Sequence, residues 1–186
     1  MKADRALRRR GTTALIAVGG AMALGLLAQA PAAHAVAIDR VAAAQDCDKN
    51  PDQCKVAVEG QTARRNATNA RKGKARCQSW KFERWGKSAV GIKVYSYYLN
   101  VRWCSLRGRI TEASSNPFPE VHAPLWSFDK HLAHRKTGGK RKKSYRVFAQ
   151  GQFKLCITKL GCVQDRQPWI SVTANGNGTH DYDTGG

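Results

Sequence analysis

The chain has 186 residues, with 32 Lys and Arg against 13 Asp and Glu, for a formal charge of +19. A chain of this length can bury a real core within one domain, and its charge points to anionic partners rather than basic ones. The six cysteines are an even set without Cys-x2-Cys spacing, which argues for disulfides and against a zinc site.

Residues 1–35 read as a secretory signal peptide. Lys2, Arg5, Arg8, Arg9 and Arg10 make a basic start, residues 14–28 are uncharged and mostly apolar, and Ala33-His34-Ala35 is a small-x-small cleavage site. An apolar run of that length, interrupted by Gly19, Gly20 and Gly25, is short for a membrane span, so no transmembrane segment is expected after cleavage. Without residues 1–35 the chain keeps 27 Lys and Arg against 12 Asp and Glu, a formal +15, and is expected outside the cell.

Residues 36–76 carry none of the fifteen aromatic side chains, which all lie between Trp80 and Tyr182. The alanine-rich stretch 36–44 and the stretch 54–63, with Pro51 near its start, are expected as short helices. Residues 64–76 are basic, polar and without apolar period, the pattern of a linker or solvated arm. The expectation is a helical or irregular basic arm over 36–76, laid against a β domain over 77–186.

From Cys77 onward, alternating runs are separated by turn residues. Strands are expected over 78–84, 92–105, 109–113, 121–129, 144–150, 152–158, 169–174 and 179–183. The longest places Tyr95, Tyr97, Leu99, Val101 and Trp103 on one face. Phe153, Leu155 and Ile157 alternate with polar neighbours, and Pro168 can start the strand of Ile170 and Val172 but not sit in its middle. Seven or eight short strands without helical periods between them predict a mainly β fold, an antiparallel sandwich or small barrel.

A further set of residues recurs in a known order: Tyr98-Leu99-x-Val101-x-Trp103-Cys104, Gly108-x-Ile110-Thr111, Trp126-x-Phe128, Gly151-x-Phe153-x-Leu155-Cys156, Gly161-Cys162-Val163-Gln164 and Pro168-Trp169-Ile170. In this, residues 92–178 resemble a group of small secreted actinobacterial proteins of unknown function. The resemblance implies secretion and a C-terminal β domain, and it brings no activity, cofactor or catalytic residue.

For the cysteines, local pairing is the first expectation. Cys156 and Cys162 flank five residues that can turn two adjacent strands, and Cys47 and Cys54 close a turn-rich sequence. That leaves Cys77 with Cys104; the rival is a Cys104–Cys156 bridge between sheets. A short loop closed in this way contributes roughly 2–3 kcal/mol through the unfolded state.

Charge is the strongest functional signal. No acidic residue lies between Asp129 and Asp165, a stretch that holds Lys130, Arg135, Lys136, Lys140, Arg141, Lys142, Lys143, Arg146, Lys154 and Lys159. Residues 140–143 follow Gly138-Gly139 and are expected on a mobile loop, and Arg64, Arg65, Arg71, Lys72, Lys74 and Arg76 form a second acid-free block. Such fields attract nucleic acid, teichoic acid, acidic polysaccharide or an anionic cell-envelope surface, and Trp80, Trp85, Tyr97 and Trp126 are candidates to stack on bases or sugars. Enzyme signals are weaker. His131-x2-His134 with His180-Asp181-x-Asp183 has the residue types of a metal site, but the first pair lacks the i, i+4 helical spacing that aims two imidazoles together. Glu83, Glu112, Glu120 and Asp129 form no pair that the sequence brings together. Gly-x-Ser-x-Gly, His-Glu-x-x-His and Gly-rich phosphate loops are absent from the sequence. The reading is a secreted basic binding module without cofactor, metal or a specific protein partner; the alternatives are a hydrolase of an anionic polymer and an antimicrobial or inhibitor protein.

Overall fold

The computed structural model describes Cys47 and residues 49–66, 71–72 and 74–186; the signal peptide and the helix expected over 36–44 lie outside the described residues. Among the described residues, a 3-10 turn, Pro51–Gln53, precedes ten strands. These are β1 Val56–Arg65, β2 Arg71–Lys72, β3 Ala75–Ser88, β4 Lys93–Leu106, β5 Arg109–Val121, β6 Trp126–Gly138, β7 Ser144–Ile157, β8 Gly161–Arg166, β9 Trp169–Asn175 and β10 His180–Gly185. Among the described residues no helix is long and apolar enough to cross a membrane.

The strands form two antiparallel sheets, as expected for a sandwich. The first has the order β1-β3-β4-β5, with β2 on the edge of β3 that β1 also uses; the second has the order β10-β9-β7-β6, with β8 pairing β7. β8 and β9 are one line in register: Arg166 pairs with Phe153 and Trp169 with Gln150. Pro168 has no N–H to give the ladder, so the strand lapses there, while its carbonyl still accepts from Gly151 at 3.0 Å.

Period-two alternation builds the core. Tyr95, Tyr97, Leu99, Val101 and Trp103 of β4 share one buried cluster with Val147, Ala149, Phe153 and Leu155 of β7 and Ile170, Val172 and Ala174 of β9. Tyr95 stacks on Phe153 across the sheets, 4.5 Å between centroids. Each such side chain contributes about 1.5–3 kcal/mol on burial. One flank of the sandwich is closed by polar bonds, with Val56 N–H donating to Gln164 Oε1 at 2.7 Å and Arg166 Nη2 to the Val56 carbonyl at 3.1 Å.

Several expectations need correction. Residues 54–63 were expected as helix, but Val56–Arg65 is a strand paired along β3 from Ser88 to Trp80. The segment before Cys77 therefore completes the first sheet instead of lying against it. β5 continues past Ala113 to Val121 and β6 begins only at Trp126, so the single strand expected over 121–129 is interrupted by a turn. Lys130 to Gly138, where no strand is expected, is strand, and the two runs 144–150 and 152–158 are a single β7. β6 escaped notice because register shifts near Asp129 and Leu132 break its alternation, and because an edge strand has polar residues on much of its length.

The disulfides are Cys47–Cys54, Cys77–Cys104 and Cys156–Cys162, the local scheme. Cys77 and Cys104 are directly opposed on β3 and β4, as Cys156 and Cys162 are on β7 and β8. The rival Cys104–Cys156 bridge is excluded, since Cys104 lies on the outer face of one sheet and Cys156 on the outer face of the other.

Candidate functional site

Hairpin ends that are distant in sequence meet at one end of the sandwich. The β6–β7 turn uses left-handed backbone at Gly138 (φ 79°), Gly139 (φ 99°) and Arg141 (φ 69°). Glycine takes such angles freely and arginine does not, so the turn must be held. Arg141 N–H donates to the Ile110 carbonyl at 2.7 Å, Ile110 N–H to Lys142 at 2.9 Å, and Gly176 N–H to Lys143 at 2.7 Å. Arg109 Nη1 adds a bond to the Arg141 carbonyl at 3.0 Å. The loop expected to be mobile is thus tied to β5 on one side and to the β9–β10 hairpin on the other.

This frame sorts eight of the ten basic residues in the acid-free stretch. Lys140, Arg141, Lys142 and Lys143 are exposed on the turn, Arg146 is exposed two residues into β7, and Lys136 is exposed near the end of β6. Arg135 stands opposite Phe148, one rung further from the turn, and Lys130 stands opposite Gln152, well down the strand. Lys130 is therefore not part of the cluster. Charged residues on the edge strand β6 also discourage edge-to-edge pairing, a role that the four turn residues do not share.

The second basic block reaches the same end. Arg76 pairs with Ser105, Ser105 with Ile110, and Ile110 bonds to Lys142, so one backbone row joins the two blocks. Sequence reasoning missed Arg107 and Arg109, which flank Gly108 in the β4–β5 turn; the local signal was a basic residue on each side of a hairpin glycine. Two open hollows run along β5 here and share Thr111 and Glu112. One extends to Lys140 and Tyr145, the other to Lys74 and Leu106. Glu112 is the acidic residue lining both, and it is engaged within the protein.

The other candidate carboxylates, Glu83, Glu120 and Asp129, lie elsewhere and are used in holding the fold. On the outer face of the first sheet, Glu83 Oε1 accepts from Lys93 and from Ser96 Oγ, the latter at 2.8 Å, while Oε2 accepts from Thr62 at 2.8 Å. Burial alone would raise this carboxyl, but the bonds from Lys93, Thr62 and Ser96 outweigh it and hold Glu83 below its ordinary value. Ser96 Oγ also lies 2.8 Å from His122 Nε2. Its one proton goes to Glu83, so the imidazole donates to the hydroxyl, the reverse of what a nucleophilic serine needs. Ser96 is 0% exposed, which closes it to substrate. Glu120 accepts from Tyr98 at 3.1 Å, and Asp129 pairs with Lys154 at 3.0 Å on the other sheet.

The histidines divide between two edges. Residues three apart face opposite ways on a regular strand, but the register shift at Leu132 puts His131 and His134 on the inner side of β6. His131 Nδ1 meets Tyr97 Oη at 3.0 Å and His134 Nε2 meets Ser115 Oγ at 3.0 Å. His180, on β10, packs 4.2 Å from the Trp80 ring between the sheets. Burial holds both His134 and His180 below their ordinary value; nearby Lys136 and His131 add to this at His134, and Asp181 partly opposes it at His180. No group of three His, Cys, Asp or Glu fit to hold a metal occurs among the described residues.

The aromatic candidates also need correction. Tyr97 is 0% and Trp126 5% exposed, Trp80 faces inward against His180, and Trp85 packs over Gly60 on the first sheet. None adjoins the basic turn as a free ring. The rings that stand on an outer face near it are Phe148 and Trp169, stacked at 5.9 Å on the second sheet. What the site offers chemically is fixed positive charge beside aromatic surface. Comparison with protein families, curated proteins and solved structures finds no match to this chain.

Proposed function

We propose that the protein is a secreted module that binds an anionic polymer at the basic end of its sandwich. The signal-peptide reading of residues 1–35 and the resemblance to secreted actinobacterial proteins support export. The observation that carries the binding reading is the pinned β6–β7 turn: backbone bonds to Ile110 and Gly176 hold four consecutive cations outward in a left-handed turn. Fixed charges bind a polyanion at a smaller entropic cost than charges on a free loop. Arg107, Arg109 and Arg146 extend the field beyond the turn. A hydrolase reading lacks comparable support, because Glu83 has both oxygens occupied and Asp129 is paired.

The test is retention on heparin and on DNA columns of the oxidised protein and of a variant with Lys140, Arg141, Lys142 and Lys143 changed to Gln. Elution at lower salt and a shallower salt dependence are expected, with melting unchanged, because each lost contact releases fewer counterions. Equal elution of two equally stable proteins would leave the turn as a solvated surface and remove the reading.

A further inference from the structure

The outer face of the second sheet continues downward from the basic turn, and it carries rings. Along β7 the buried residues Tyr145, Val147 and Ala149 alternate with exposed Arg146 and half-buried Phe148 and Gln150. Register sets the neighbours: Phe148 lies between Arg135 of β6 and Ser171 of β9, and Arg146 lies between Thr137 and Thr173. Phe148 and Trp169 are near parallel, with 27° between planes.

The position of Trp169 depends on a glycine. Its partner on β10 is Gly185, where a Cβ would lie 2.8 Å from three atoms of the indole. Any other residue would push the ring away, so glycine lets the indole lie over the β10 backbone. A cross-strand aromatic pair does stabilise a sheet. The other outward positions around it, Ser171, Thr173 and Gln150, nevertheless pair without rings, and Phe148 stands beside Arg135 and two residues from Arg146.

Resting on the polyanion reading, we propose that this face selects the polymer: a single-stranded nucleic acid whose phosphates follow Arg146 and Arg135 from the basic end and whose bases stack on Phe148 and Trp169. A duplex keeps its base faces inside its own stack, and the puckered rings of teichoic acids and acidic polysaccharides match a near-parallel pair of flat rings less well than planar bases do. Base stacking on protein rings is tolerant of sequence, so the binding is general rather than sequence-specific. Asp181 and Asp183 stand on β10 opposite Thr173 and Ser171. They repel phosphate from the far side of the face and confine the strand to the β6–β7 side.

The experiment titrates the oxidised protein with oligo(dT) of about twelve nucleotides, within the usual site size, and with an abasic strand of equal length, beside heparin chromatography. Phe148→Thr, which keeps a strand-forming residue, is expected to weaken oligo(dT) binding about tenfold while heparin elution stays as in the wild type and melting falls only by the small contribution of the aromatic pair. Oligo(dT) is expected to quench tryptophan fluorescence; Trp169→Phe keeps a ring over Gly185 and should retain binding but lose that quench. The proposal is overturned if the abasic strand binds as well as oligo(dT), or if Phe148→Thr binds oligo(dT) unchanged. It is equally overturned if oligo(dT) and heparin binding fall together, which would favour a polysaccharide or simple charge. Heparin elution that is insensitive to the four-residue turn variant removes the polyanion reading itself. Elution that depends on the turn while oligo(dT) binding ignores Phe148 removes only the stacking.

Discussion

The backbone N–H of Ile110 donates to the carbonyl of Lys142 at 2.9 Å, and the carbonyl of Ile110 accepts from Arg141 at 2.7 Å. Two consecutive turn residues thus oppose one residue of β5, a bulged antiparallel contact with Arg141 in the left-handed position, and it joins the first sheet to the turn of the second. It involves main-chain atoms only, so the charges of the turn can be changed without touching what holds it.

Arg107 and Arg109 should therefore act with the turn. Changing both to Gln is expected to lower the salt needed for heparin elution further when added to the four turn substitutions. The melting temperature should move little, since exposed changes of this kind alter stability by about 0.5 kcal/mol or less. The check is elution salt and thermal unfolding of the double, fourfold and sixfold variants. Identical elution of the fourfold and sixfold proteins would place the β4–β5 turn outside the binding surface.

The disulfides make a second prediction. Replacing Cys77 and Cys104 together by Ser removes a bridge between adjacent strands at the basic end and is expected to cost about 2–4 kcal/mol. Denaturant unfolding measures the loss, and non-reducing peptide mapping of the wild type should recover Cys77 with Cys104 and Cys156 with Cys162. A Cys104–Cys156 peptide would contradict the placement of these two residues on opposite outer faces.

Glu83 should matter for stability and its effect should depend on acid. Its carboxyl accepts from Lys93, Thr62 and Ser96 and is held below the ordinary value of 4.5. A lowered folded pKa stabilises fully above the unfolded value, so the contribution is complete above about pH 4.5 and is lost as pH falls through the folded value. Glu83→Gln is expected to cost about 1–3 kcal/mol at neutral pH and much less in acid. Parallel stability curves for the two proteins from neutral to acid pH would count against this role.

His180 gives a milder pH effect in a higher window. Burial beside Trp80 holds it below 6.5, so the folded state resists its protonation. Stability is full above the unfolded value of 6.5 and declines as pH falls from there through the lower folded value. His180→Phe, which keeps a ring in the gap, should flatten the decline in melting temperature between neutral and mildly acid pH. His134 is shifted the same way and leaves a residual slope. An unaltered slope in the variant would assign the decline to other groups.

Local chemistry alone determined much of this protein. β4, β7 and β9 were legible because each alternates buried and outward residues, and Pro168 marked where one line of strand lapses. Two cysteine pairs were legible because each closes a short loop, and Cys77–Cys104 followed as the pair that remained. β1 was not: Val56 is its one buried residue, so an edge strand left no period to read. β6 was hidden by its bulges for a related reason. Only the tertiary structure decided the site. Arg109 and Arg141 are 32 residues apart, and which ends of antiparallel strands coincide is undetermined until two sheets pack. Likewise, Phe148 and Trp169 sit in runs that read as core strands, and their outward direction follows from register rather than from their apolar character.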